Sequence, residues 1–156
     1  VAEDFCGWGP GVYRLQPFFA TSDSENGGGV GVNFQQQLGR HSHLGWFFRG
    51  GWASDNAAAL TGVRCAATTG LVLLSPFYGK GASNDGYLGL GFLRQQGARK
   101  NGPYVNKNEY GIELTYVMQV TPTMTLQPDI QLVKNPVNGR RGQTAVVFQI
   151  QNVWSW

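Results

Sequence analysis

Hydrophobic residues recur at every second position along most of this chain, and that alternation predicts β-strands rather than helices. It is clearest in "EYGIELTYVMQV" (109–120), where Tyr110, Ile112, Leu114, Tyr116, Met118 and Val120 share one face. Glu109, Gly111, Glu113, Thr115 and Gln119 share the other, with Val117 as the exception. A short "TPT" turn (121–123) leads into "MTLQPDIQLVK" (124–134), where Met124, Leu126, Pro128, Ile130 and Leu132 oppose Thr125, Gln127, Asp129 and Gln131. Pro128 removes a ladder donor, so a local irregularity or an unpaired position is expected there. The final segment, 144–156, sets Val146, Phe148, Ile150, Asn152, Trp154 and Trp156 against Ala145, Val147, Gln149, Gln151, Val153 and Ser155.

Upstream, the same pattern with more glycine predicts strands over 11–20, 29–38, 44–52, 69–77 and 87–93. Gln36 interrupts the apolar face of 29–38, and 69–77 is the least regular of the set. The total is about eight strands, each near the roughly 9–11 residues that cross a bilayer when tilted. Read back from the end, the links are 135–143, 121–123, 97–108, roughly 77–86, 53–62 or beyond, 39–43 and 21–28. Long and short links largely alternate, 77–86 being the poor fit, as in outer-membrane barrels with short periplasmic turns and longer outer loops.

Composition narrows the choice. Glycine makes up 23 of 156 residues, and charged residues are only 13%, about half the usual soluble share. No run approaches the ~18 apolar residues of a membrane-spanning helix. The net charge of +3 is mild and dispersed, with "ARK" (98–100) and "RRG" (140–142) in expected loops, which argues against a nucleic-acid partner. Cys6 and Cys65 could pair in an oxidising compartment, but two cysteines do not decide it. The opening "VAEDFCGWG" has no initiator Met and reads as a processed chain or a fragment. "RHSH" (40–43) falls in a short turn with no Cys or carboxylate nearby, so no metal site is expected. The GxG spacings of "GWGPG" and "GYLGLGF" lack the strand–turn–helix setting of a nucleotide loop. No serine, histidine and acid arrangement points to catalysis.

Alternation alone fits a soluble lipocalin-like ligand-binding barrel, or a small eight-stranded outer-membrane barrel with a lipid-modifying or structural role. It also fits the wall of a membrane pore. Three features favour apolar residues facing lipid. The opposite face carries few charges, with Glu113, Asp129 and Arg49 standing singly among Gly, Gln, Asn and Thr. Tyr110, Trp46, Trp52, Trp154 and Trp156 gather at strand ends, where rings suit the headgroup level. The terminal aromatic resembles the signal by which outer-membrane barrels are handed to their insertion machinery.

Several stretches together resemble the C-terminal half of a carbohydrate-selective outer-membrane porin of the OprB type. They are "GVYRLQPFF", "GGGVGVNFQQQLG", "LGWFFRGGWASD", "TTGLVLLSPF", "DGYLGLGF", "NEYGIELTYVMQVTPTMTLQPDIQLVKNP" and "VVFQIQNVW". They cover nearly everything from residue 11 onward, with 108–136 the strongest piece; residues 1–10 match poorly and the two cysteines depart from the family pattern. The resemblance implies that 1–156 is an all-β, antiparallel transmembrane barrel segment, half of a sixteen-stranded barrel in a Gram-negative outer membrane. It further implies passive diffusion of glucose and similar sugars, with no cofactor, no metal and no catalysis. Its partners would be carbohydrates, outer-membrane lipid, the barrel-insertion machinery and the missing N-terminal half. The channel-lining candidates in the inward register are Arg14, Asn33, Gln35, Phe47, Arg49, Glu113, Asp129, Gln131 and Gln149. Arg49 leads, because a mid-strand arginine is costly in lipid and its planar fork can donate to two hydroxyls beside the flat ring of Phe47. The alternative role for Arg49 is an ion pair with Glu113 or Asp129 that stiffens the wall.

Overall fold

The computed structural model describes residues 7–22, 26–39, 42–74, 86–97, 108–136 and 142–154. Cys6, Arg40, His41, the "SPF" of 75–77, the basic residues of 98–100 and 140–141, and the terminal Ser155 and Trp156 lie outside the described residues. Eight strands form one sheet in chain order, each antiparallel to the next. They are β1 (Gly11–Thr21), β2 (Asn26–Gln37), β3 (Leu44–Ala53), β4 (Val63–Leu74), β5 (Tyr87–Gly97), β6 (Asn108–Thr121), β7 (Met124–Lys134) and β8 (Thr144–Trp154). The sheet is open, and among the described residues its edges β1 and β8 form no ladder with each other.

The register carries the alternation of every strand onto common faces. One rung runs Tyr13, Phe34, Phe48, Thr69, Phe92, Ile112, Leu132 and Val146. The next one on that side includes Trp46, Leu71, Leu90, Leu114, Ile130 and Phe148. A single-residue slip would send each of these to the other side, so the apolar pattern itself fixes the pairing. Aromatic neighbours reinforce it, with ring centroids 5.8 Å apart for Tyr13–Phe34, 6.1 Å for Phe34–Phe48 and 6.5 Å for Trp46–Phe48.

This apolar face is the exposed one. Leu114 is 45% exposed, Phe148 76% and Ile150 73%, while Glu113, Thr115, Gln127, Asp129 and Gln131 on the opposite face are half-buried. Among the described residues no large side chain is fully buried, and the buried apolar cluster is Ala53, Ala57 and Ala58. Glycine explains much of the asymmetry. Gly27, Gly29, Gly31, Gly45, Gly51, Gly70, Gly89, Gly91 and Gly111 all fall on the polar face, leaving a hollow there and letting the sheet bend toward it.

Two irregular positions have clear causes. The β6–β7 ladder runs from Tyr110↔Lys134 to Thr115↔Asp129, breaks opposite Pro128, and resumes at Met118↔Leu126. The expected gap is there, since proline has no N–H to give. Gln36, the polar interruption on the apolar face of β2, is 8% exposed. Its Nε2 donates to the carbonyls of Gly9 and Gln37, both at 2.9 Å, and its Oε1 accepts from the Tyr13 hydroxyl. The segment before β1 thus folds back onto Gln36 and satisfies it.

Two features differ from the sequence expectation. Strand β4 starts at Val63 rather than 69, because "AATT" (66–69) puts small residues on both faces and hides the period. The 53–62 link contains a short helix, α1 (Asp55–Thr61). Ser54 caps it, its Oγ accepting from the N–H of Ala57 at 3.5 Å and of Gly28 at 3.1 Å. Gly62, at φ 78°, ends it in the left-handed conformation, its N–H donating to the Ala58 carbonyl at 2.8 Å. Arg64 at the start of β4 pairs with Asp55 at 2.5 Å. The helix rests on the glycines of β2: a Cβ at Gly27 would run into the Ala57 amide nitrogen and lie 2.7 Å from Ser54 Oγ. Ser54→Ala should therefore cost about 1 kcal/mol in urea unfolding, with Ser54→Asp recovering most of it.

Candidate functional site

The glycine-floored face holds a hollow of about 640 Å³, walled by residues from β1 through β7. Five of the nine candidates line it: Gln35 on β2, Phe47 and Arg49 on β3, Glu113 on β6 and Gln131 on β7. Arg14, Asn33, Asp129 and Gln149 lie on the same face but outside that lining; Arg14 and Asn33 continue the rung of Arg49, while Gln149 pairs with Asp129.

The β3 side is built around Phe47. It stands in register with Gln35 on β2 and Gly70 on β4, and Gly70 in turn pairs with Gly91 on β5. Without side chains at these two glycines, the ring lies across neighbouring strands; a Cβ at Gly70 would sit 2.7 Å from Phe47 Cε1, and one at Gly91 3.8 Å from Cζ. The guanidinium carbon of Arg49 is 5.8 Å from the Phe47 centroid, within cation–π range. Beside it, Asn33 pairs in register with both Arg14 and Arg49, and its Oδ1 is buried with no partner among the described residues. On the other side of the sheet, Trp46 Nε1 donates to Thr69 Oγ1, which donates to the Phe47 carbonyl, both at 2.9 Å. Strand β3 is thereby pinned to β4 at the level of the ring.

The β6–β7 side is acidic and amide-rich. Glu113 is in register with Gln131 and lies against Asp129. Gln131 Nε2 donates to Asp129 Oδ1 at 2.9 Å, while Asp129 Oδ2 is buried with no partner among the described residues. Gln127 Nε2 donates to Thr115 Oγ1 at 3.1 Å. Among the described residues Arg49 forms no ion pair with Glu113 or Asp129, whereas Arg64 pairs with Asp55. The hollow therefore has a basic wall with a flat ring and an acidic wall with amides. Its charges are held apart by the width of the sheet, where a polar solute could meet both.

Thr68, Thr115 and Gln127 also line the hollow. Thr115 and Gln127 already stood in the polar register of their strands, so parity could have selected them. Thr68 could have been found by extending the parity of Leu71 and Leu73 back through the small residues of β4. Cys65 is a free thiol whose Sγ lies 3.4 Å from Gln96 Oε1, and Cys6 is outside the described residues. No metal-holding group of His, Cys, Asp and Glu occurs among the described residues.

A family profile described as carbohydrate-selective porin, OprB family, matches residues 10–154. No curated protein and no solved structure matches the chain. The matched span contains all eight strands, the hollow and every residue on its two walls. The chain belongs to the OprB family of carbohydrate-selective porins.

Proposed function

We propose that this chain forms part of the wall of an outer-membrane pore through which glucose and similar small sugars diffuse passively. One observation carries the reading: the hollow lies on the polar, glycine-rich face, while the large apolar residues stand on the exposed face. A soluble barrel packs its large apolar residues inward; a membrane barrel turns them to lipid and keeps small and polar residues around water. The strands, 10 to 14 residues long, suit a tilted crossing of a ~25 Å apolar band. Exposed apolar area on this scale exceeds what soluble monomers usually leave uncovered.

The open edges support completion of the barrel by further strands, sixteen in all, since an unpaired edge in lipid would leave N–H and C=O groups with no partner. On β1 and β8, residues of both faces are exposed, as positions awaiting neighbours would be. The family is one of channels, and passage needs no reacting group. It needs side chains that exchange hydrogen bonds with hydroxyls without holding them. Arg49 and the Asn33 carbonyl serve on one wall, Glu113, Asp129 and Gln131 on the other, and Phe47 offers its ring to the flat face of a pyranose. Arg14, Gln35 and Gln149 extend this polar track.

Reconstitution of the full-length protein in planar bilayers tests the reading. Open channels should conduct ions, and glucose added at millimolar to molar concentration should lower the current. Arg49→Ala should weaken that block about tenfold, the scale of one charge-assisted hydrogen bond. Conductance that ignores glucose would overturn sugar preference, and absence of any channel would overturn the pore.

A further inference from the structure

Among the described residues the apolar face carries two charged side chains, Arg94 and Lys134, both basic and both on one rung. That rung reads Arg94, Tyr110, Lys134, Thr144 across β5 to β8. Arg94, Lys134 and Tyr110 are exposed. The described acids lie elsewhere: Glu109, Glu113 and Asp129 are on the polar face, and Asp55 pairs with Arg64. The two cations are one strand apart on either side of Tyr110, so roughly 10 Å separates their backbones. The next rung inward is wholly apolar: Phe92, Ile112, Leu132 and Val146. Beneath lies a trough of about 570 Å³, bounded by Phe48 and Phe92 and floored by Ala67 and Thr69, with the cationic rung along its rim.

We propose that this trough and rim form a binding site for a multiply acylated lipid with a phosphorylated headgroup. Acyl chains lie in the trough between Phe48 and Phe92. Phosphate oxygens accept from the Arg94 guanidinium and the Lys134 ammonium, with the hydroxyls of Tyr110 and Thr144 as further donors. Independent snorkelling of a long basic side chain to the interface would place cations anywhere around the rim. Two on a single rung, above an apolar trough and with no acid on that face among the described residues, are complementary to one dianionic headgroup.

The proposal rests on the apolar face meeting lipid, and the experiment separates the two. Full-length protein in detergent is titrated with diphosphorylated lipid A, with its fully dephosphorylated form, and with phosphatidylcholine, and retained lipid is counted by native mass spectrometry. Insertion into phosphatidylcholine vesicles is measured in parallel. One tightly held diphosphorylated lipid per chain is expected, with at least tenfold weaker retention of the dephosphorylated form, a comparison that uses wild-type protein alone. Arg94→Gln with Lys134→Gln should erase that preference while leaving insertion into phosphatidylcholine unchanged. Equal retention of both glycolipids by the wild type, with normal insertion, would overturn the site and leave the membrane reading standing. Failure of the wild type to insert into any vesicle would overturn both.

Discussion

Leu114→Arg should destabilise the bilayer-inserted protein by about 2–4 kcal/mol, while Thr115→Arg, one residue on, should change stability by less than about 1 kcal/mol. Leu114 stands mid-strand on β6 between Leu90 and Ile130, on the exposed apolar face. In the proposed pore, an arginine there must bring its guanidinium into hydrocarbon or drag water after it. Thr115 lines the hollow beside Asp129, where the proposed pore has water at hand and a neighbouring charge is negative. Urea unfolding of the full-length protein from phosphatidylcholine vesicles, with each variant in turn, measures both. Equal costs at the two positions would remove the orientation on which the pore reading depends. A soluble barrel with an apolar interior would reverse the pattern, with the arginine tolerated on the outer wall and rejected within.

Strand parity is legible in the sequence wherever the two faces of a strand differ in chemistry. On β6, Tyr110 through Val120 alternate against Glu109 through Gln119, and the strand and its inward set follow directly. On β4, Ala66, Ala67, Thr68 and Thr69 are small on both sides, so the period vanishes and the sequence pattern begins only at 69, six residues after the strand does. The helix α1 had its own signals, Ser54 before an alanine run and Gly62 after it, but at seven residues it gave no recurring apolar stripe. The polar register itself was legible, including Arg49 beside Phe47 and Glu113 near Asp129. What strand parity does not contain is which polar positions share one cavity. That depends on how far the sheet bends, and bending is set by glycines whose effect is cumulative across strands. Arg94 and Lys134 show the same limit from the opposite face. They lie 40 residues apart in the chain, and only the inter-strand register makes them neighbours across Tyr110.

Gly70→Ala should be among the most damaging single-methyl changes in the chain, costing about 3 kcal/mol or more. Its Cβ would run into the Leu90 carbonyl oxygen of β5, which is backbone and cannot turn aside, and would lie 2.7 and 2.8 Å from Phe47 Cε1 and Cζ. The ladder between β4 and β5 must then part, and the ring must lift from the wall. Gly91→Ala is the matched control on the next strand: its Cβ would meet Phe47 Cζ at 3.8 Å, an ordinary contact. Relief from glycine's backbone entropy should even make it stabilising by roughly 0.5–1 kcal/mol. Unfolding midpoints of the two variants test the packing, and glucose block of the current tests its consequence, since only Gly70→Ala displaces the ring. Combining Gly70→Ala with Phe47→Ala should recover only the part of the loss due to the ring, because the clash with the Leu90 carbonyl remains. Full recovery in the double variant would mean that the strands yield freely there, and Phe47 would then have no fixed seat from which to present its face to a sugar.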